Sequence, residues 1–372
     1  MPAPVRLLFV MNAPETGGAE RHTLDLAEAL SHAGFAPTIF AMKPGPLPAP
    51  PGIALFQPDG PRALPGRVRD LARAIRGLDP GVIVAVNERP YAAAWAARLL
   101  GRRRPPIAAI LHASRLRGPR EAWMQRVYTP IANRLDAVVF LARHQREFWQ
   151  GQGLVPRREA LIPNGIDLDH FAPAIRSRHR AAARAAHGFA SDDLVLGCCA
   201  VLRPEKNHLD LVEAVAHLRR DGLPAKALLV GDGPMRGAIE ARARALGIAG
   251  HVVLAGMLAD VRPALAAFDL GVLCTAAETL PLAALEIMAA GVPMVMAAGG
   301  GGPEIVDEAA GQLYPPGDRD ALCRAVAALA DPATRTDAGR RARETVAARF
   351  DRRTMVARYA ALLDGFALDG PE

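Results

Sequence analysis

The sequence predicts an α/β chain built as two parallel-sheet domains, and three observations carry that expectation. Short apolar runs alternate with longer Ala/Leu/Arg segments of helical character, the signature of strand–helix–strand units. The rhythm breaks at NGIDLDHFAPAIRSRHR, which begins at Asn164, and then restarts. At 372 residues, 51% hydrophobic and 22% charged, the chain is long and apolar enough for more than one globular core. Two consecutive units of similar size, without a sequence repeat, read as two Rossmann-like domains. The cleft between them is then the default ligand site.

In the first half, VRLLFVM (residues 5–11) is a strand, TGGAE a turn, and residues 21–33 an amphipathic helix ending at Gly34. Strands are expected at 37–42, 82–86, 107–111, 137–141 and 160–162, with helices at 67–77 and 90–100. The Pro/Gly-rich stretch 44–65 is a long connection holding one short strand, 53–56. In the second half, strands are expected at 194–200, 227–230, 251–255 and 270–274, and again in the segment 291–296. Helices fall at 208–220, 235–246 and 282–290, and the tail is helical over 320–330 and 340–366. Its last portion is expected to pack back across the linker.

Forty-five basic against 38 acidic residues leave a net charge of +7, carried almost wholly by arginine. The arginines cluster in GRRR (101–104) and at Arg115, Arg117, Arg120 and Arg126. Aromatics make up only 5% and no recognised module appears, which argues against nucleic acid. The cluster suits an anionic membrane surface or a phosphate-bearing acceptor, or else is a solvated surface. Cys198, Cys199, Cys274 and Cys323 lack metal-ligand spacing and read as small buried hydrophobes. The apolar run 5–11 is too short for a secretory signal, and no run of about 18 apolar residues suggests a spanning helix. A cytoplasmic location, in reach of the inner membrane face, is expected.

The most informative segment is ETLPLAALE, with Glu278 and Glu286 eight residues apart and AAGVP straight after. Pro281 suits the first turn of a helix that Gly291 and Pro293 end. Free N–H groups at that helix start can hold a phosphate. Ionised carboxylates only accept hydrogen bonds, so the flanking pair suits the hydroxyls of a sugar or ribose. The alternative is a buried helix with one acid favoured by the macrodipole.

Other candidates lie at strand ends. Gly17 and Gly18 follow the first strand and either admit a ligand or make a tight turn. His112 follows the strand 107–111, a carboxyl end where open sheets bind ligands, unless the loop itself satisfies it. Arg203 and Lys206, in LRPEKNH, would clamp a diphosphate, or are surface charges at a helix entry. Gly231, in GDGP, opens another strand-end turn where a base could lie. The aspartates of DLD (167–169) sit in linker-like flanks and are not read as metal ligands.

GGAE (17–20), NGID (164–167), PEKN (204–207), GDGP (231–234), Glu278 with Glu286, GGGPEIV (300–306) and GQLYPPGD (311–318) occur in this order. Together they resemble the family-4 retaining glycosyltransferases over nearly the whole chain, most closely over 194–318. The resemblance implies the GT-B fold, two facing Rossmann domains with a C-terminal helix crossing back. It implies an acceptor-side domain at 1–170, a donor-binding domain at 171–348 and the returning helix at 349–372. Glu278 would lie near the donor sugar, Glu286 on the ribose hydroxyls and Lys206 on the diphosphate. Gly17 and Gly18 would approach the phosphates, Leu280 and Leu282 would join the donor contacts, and His112 would stand near the reacting sugar. Many members carry an arginine where this chain has Val201, and Arg203 takes over that charge. The implied reaction moves a sugar from a nucleotide-diphosphate donor of UDP or GDP type to a glycan or glycolipid hydroxyl. Neither metal nor cofactor is expected. A nucleotide-sugar epimerase of the same fold and a non-catalytic nucleotide-sugar-binding subunit are the competing readings.

Overall fold

The computed structural model describes residues 4–15, 17–60, 62–116 and 118–368, so Thr16 of the first turn and Arg117 of the arginine cluster lie outside the described residues. The chain divides into two compact units. One runs up to Asn164 and resumes at Arg353; the other is Gly165–Arg352.

Unit 1 follows the order β1 (Arg6–Met11), α1 (Gly18–His32), β2 (Ala36–Ala41), β3 (Ala54–Phe56), α2 (Leu64–Leu78), β4 (Val82–Val86) and α3 (Glu88–Leu99). It continues with β5 (Ile107–Ile110), α4 (Pro119–Ala132), β6 (Ala137–Phe140), α5 (Arg143–Gly151) and β7 (Glu159–Leu161). Its strands pair in parallel in the order β3-β2-β1-β4-β5-β6-β7. The run LLFV of β1 and the whole of β4 are buried on both faces, as strands covered by helices on either side must be. That double burial is why these strands read as unbroken apolar runs. The helix α1 starts at Gly18, three residues before the first periodic position; at its N-cap, Gly17, a Cβ would lie 2.3 Å from Glu20 Oε2.

The unexpected helices of unit 1 are α4 and α5. In α4 only Ala132 is fully buried and Pro130 sits inside, so no apolar stripe announces it. In α5 the buried residues are Gln145 and Trp149. Both fasten the loop after β5: Gln145 donates to Leu111 O at 2.7 Å, and Trp149 Nε1 to Ala113 O at 2.8 Å.

Unit 2 opens with α6 (Pro173–Ala186), β8 (Leu194–Cys199), α7 (His208–Arg220), β9 (Ala225–Val230), α8 (Arg236–Ala245) and β10 (Val252–Gly256). It goes on through α9 (Arg262–Ala267), β11 (Leu270–Leu273), α10 (Leu282–Ala289), β12 (Met294–Ala297), α11 (Gly302–Ile305), β13 (Gly311–Tyr314), α12 (Arg319–Ala328) and α13 (Pro332–Arg349). The parallel order β10-β9-β8-β11-β12-β13 reverses between β8 and β11. Unit 1 reverses likewise between β1 and β4.

The linker-like reading of the segment after Asn164 needs correction, because from Pro173 it is helical. Three of its arginines, Arg176, Arg180 and Arg184, turn onto the protein, while Arg178 is exposed. Arg176 and Arg180 donate to Phe268 O at 2.6 and 3.0 Å, and Arg180 and Arg184 hold the two Asp269 oxygens at 2.5 and 2.9 Å. Asp269 is 2% exposed and also accepts from the Val195 amide at 2.8 Å. Burial alone would raise its pKa; the Val195 amide and the Arg180 and Arg184 guanidiniums outweigh that and hold it below the ordinary carboxylate value.

The units divide at 164/165 and 352/353 rather than at the expected 170/171 and 348/349. Ile166 bridges Asp351 in parallel, and the Ile166 amide donates to Phe350 O at 2.8 Å. The NGID turn therefore belongs with the end of α13. Asp167 Oδ1 accepts from the amides of Asp169 and His170 at 3.0 and 2.9 Å, which makes DLD a closed turn. The last helix, α14 (Arg352–Leu368), packs in unit 1 through Met355, Tyr359 and Leu363, four residues apart on one face. The Arg158 guanidinium covers the Phe366 ring at 5.5 Å.

Cys198, Cys274 and Cys323 are buried free thiols, and Cys199 is half-buried. Among the described residues no helix is long and apolar enough to cross a membrane. None of them forms a His/Cys/Asp/Glu group suited to a metal ion.

Candidate functional site

In open parallel sheets, ligands bind beyond the carboxyl ends of the strands where the order reverses. In unit 2 that point is flanked by the loops after β8 and β11, which carry Lys206 and Glu278. The segment Pro204–Lys206 is one tight turn, ended by Asn207 in a left-handed conformation at φ 50°. Asn207 Nδ2 donates to Cys274 O at 3.3 Å, which ties the β8 loop to the end of β11. Lys206 Nζ is ion-paired with Glu278 Oε1, both side chains partly open to solvent. Arg203, three residues earlier, is exposed.

Backbone packing fixes Glu278 from the other side. The Gly301 amide donates to Glu278 O at 2.7 Å, and a Cβ on Gly300 (φ +56°) would lie 2.1 Å from that oxygen. The glycine run is thus required by close approach of the chain to itself. Gly231 has the same cause: a Cβ there would meet Ala200 O at 2.0 Å. Leu202 N–H donates to Asp232 O at 3.0 Å, so GDGP and the β8 loop form one wall.

Pro281 is the N-cap of α10 rather than a residue of its first turn, and Leu282 is the first helical residue. Leu280 and Glu286 are buried, Glu286 to 2% exposure. The two glutamates therefore differ in setting. Glu278 is paired at a loop surface and Glu286 is enclosed within α10.

His208, the first residue of α7, went unnoticed in LRPEKNH. It is buried, and burial together with the neighbouring Lys206 charge lowers its pKa to about 4. An imidazole at a helix start looks like an ordinary surface residue in sequence, so only the fold reveals it.

In unit 1, Gly17 is the N-cap of α1 in extended conformation, and a Cβ on Gly18 would meet nothing within 4 Å. His112 follows β5, and its amide donates to Asn87 Oδ1 at 2.9 Å. The Asn87 amide in turn donates to Ile110 O at 2.8 Å, with Asn87 at φ 67°. Burial, and to a lesser degree His22, keeps His112 well below the usual imidazole pKa. It is a neutral donor and acceptor near pH 7.

Two doubly wound parallel sheets in one chain, the second with an acid–lysine pair at its reversal point, define a protein of the GT-B class. The model of Glycosyltransferase Family 4 matches residues 16–170, and that of Glycosyl transferases group 1 matches 193–331. The chain belongs to this family of glycosyltransferases. It is 35% identical over 150 residues to the putative glycosyltransferase EpsF of Bacillus subtilis, covering 40% of this chain and 38% of EpsF. It is 34% identical over 247 residues to the GDP-mannose-dependent alpha-(1-6)-phosphatidylinositol monomannoside mannosyltransferase of Mycolicibacterium smegmatis, covering 63% and 64%. These matches span less than two thirds of either relative. The structure of Anabaena HepE in complex with UDP superposes with a TM-score of 0.81 at 22% identity, covering 97% of this chain and all of that one. At that identity the likeness speaks for the fold.

Proposed function

We propose that the chain is a retaining glycosyltransferase that moves a sugar from a nucleotide-diphosphate donor to a hydroxyl of a saccharide or lipid-linked glycan. The observation that carries this is the Lys206–Glu278 pair at the reversal point of the unit 2 sheet. The leaving group is a nucleoside diphosphate, whose growing negative charge must be stabilised. Lys206 and Arg203 supply cationic donors and the start of α10 at Leu282 supplies backbone N–H groups. Glu278 accepts from a sugar hydroxyl and Glu286 from the ribose. In unit 1, Gly17, Gly18 and His112 are assigned to the same reaction by their place in the family pattern. For retention, the acceptor attacks on the face that the diphosphate leaves, and a diphosphate oxygen takes its proton. Trapping a glycosyl-enzyme adduct would overturn that route.

The named GDP-mannose dependence of the Mycolicibacterium relative and the UDP bound to HepE support a donor of GDP or UDP type. A thermal-shift panel of UDP, GDP, ADP and TDP sugars tests this. One donor is expected to raise stability by about 2.7 kcal/mol at a hundred times its Kd. No shift with any of them would overturn the reading.

The acceptor end is proposed to work at an anionic membrane surface. Helix α4 exposes Trp123 (63%) and Val127 (52%), one turn apart, with Arg120 and Arg126 exposed beside them. An exposed indole among arginines suits the headgroup region of an acidic bilayer. The protein is expected to sediment with vesicles containing phosphatidylglycerol and not with pure phosphatidylcholine, and Trp123→Ala to weaken this. Equal recovery from both vesicle types would refute the membrane assignment.

A further inference from the structure

The edge of the unit 1 sheet holds a groove that the donor chemistry leaves unused. Strand β3 is a three-residue edge strand, and its last residue, Phe56, is 46% exposed. Phe56 is the register partner of Phe40 on β2, so the two side chains leave the sheet on one face. Between that face and α2 lie two cavities that share Phe40, Phe56 and Asp70. One, of about 330 Å³, is apolar and reaches along α2 to Ala74, Gly77 and Leu78. The other, of about 220 Å³, opens at the carboxyl ends of β2 and β3, where Gln57, Asp59 and Arg67 join the lining.

The charges of the smaller cavity are incompletely matched. Asp70 is taken on both oxygens, by Arg62 at 2.6 Å and by Arg73 at 2.7 Å. Arg67 and Asp59 line the same space without pairing, and neither side chain has a partner among the described residues. Arg67 Nε is moreover buried, and an enclosed donor left unmet is unfavourable. A guanidinium only donates and a carboxylate only accepts, so a ligand rich in hydroxyls satisfies both at once. Gly77 adds a separate sign at the apolar end. Its backbone is not left-handed, and a Cβ there would meet nothing within 4 Å. Neither turn nor close packing requires this glycine, which weakens its helix. What the missing side chain does is leave the apolar cavity open.

We propose that this groove is an acceptor subsite for an amphiphilic saccharide. A sugar ring lies between Arg67 and Asp59, and its apolar aglycone runs along Phe56, Ala74 and Leu78. The proposal rests on the glycosyltransferase reading and names the acceptor class within it. The smaller cavity falls below the roughly 300 to 1,000 Å³ of drug-sized sites and suits a single ring. Its place at the strand ends is where open sheets take ligands. The apolar cavity supplies affinity by burying alkyl surface, while the two charged groups set orientation.

Calorimetric titration of the full chain with octyl and methyl glycosides of glucose and mannose, below the micelle concentration, tests this. At least one octyl glycoside is expected to bind roughly tenfold or more tighter than its methyl counterpart. Gly77→Leu is expected to abolish that difference with the melting temperature unchanged or raised. Phe56→Ser, at an exposed edge, is expected to reduce it without touching the helix. Arg67→Met, which keeps the apolar stem, is expected to weaken the octyl glycoside roughly tenfold. Equal binding of octyl and methyl glycosides, or an octyl preference that survives both Gly77→Leu and Phe56→Ser, would overturn the subsite. The donor panel separates the two readings. A protein stabilised by a nucleotide sugar but indifferent to octyl glycosides loses only the groove proposal. One that binds octyl glycosides in the groove but no nucleotide sugar loses the transferase reading, and with it the acceptor role.

Discussion

Lys206→Ala is expected to lower kcat by roughly a hundredfold or more, because losing one donor to the transition-state charge costs about 3 to 4 kcal/mol. The structure sharpens the reason. Lys206 is ion-paired with Glu278, so under the proposed function one ammonium would serve both the leaving diphosphate and the acid assigned to the sugar. The variant loses the cation and leaves Glu278 as an uncompensated anion beside a dianionic leaving group. Lys206→Arg is expected to recover little, since a planar fork does not reproduce a compact point charge at the end of that tight turn. Steady-state kinetics at saturating donor, with a melting curve to confirm folding, decide the matter. Turnover near wild type in Lys206→Ala would rule out the diphosphate clamp.

The second large effect is on stability. Asp269→Ala is expected to destabilise unit 2 by about 3 to 5 kcal/mol, because it leaves buried guanidiniums without their acid. Arg184 and Arg180 lose their carboxylate, Arg335 loses a neighbour at 3.7 Å, and the Val195 amide loses its acceptor. For a unit of this size the melting point should drop by about 10 °C. The pH dependence follows from the sign of the shift. Asp269 is held below its unfolded pKa, so its contribution is complete above about pH 4 and is lost as pH falls through the folded value. Wild type should therefore converge on the variant in acid. An acid titration of melting temperature in which the gap between them persists unchanged would contradict the ion cluster as the source.

The strands were legible because a parallel sheet covered on both sides demands continuous apolar runs, and LLFV, VIVAV and LGVL offer little else. Helices that bury one clean stripe, such as α7, were legible for the same reason. Those that bury polar atoms were not. Helix α6 attaches through arginine side chains to Phe268 O and Asp269, and α5 through Gln145 and Trp149 to the loop after β5. No hydrophobic period reports such bonds. At the site, the order of the motifs made Lys206 and Glu278 visible as separate candidates. Their direct pairing depends on where β8 and β11 end side by side, which spacing cannot convey. His22 and His208 escaped notice because a histidine within a helix carries no mark of burial. Gly231, which its motif ties to a ligand, has a nearer cause in the backbone that crosses it, and Gly300 shares that cause.

All four cysteines fall within the second unit, and none in the first. Burial raises the thiols of Cys198, Cys274 and Cys323, to about 12 for Cys274 and about 11 for Cys323. Only the deprotonated sulfur is nucleophilic, so a folded second unit resists alkylation at these three positions. An electrophile added during denaturation therefore acts as a stopwatch for one half of the molecule, while the other half stays chemically silent.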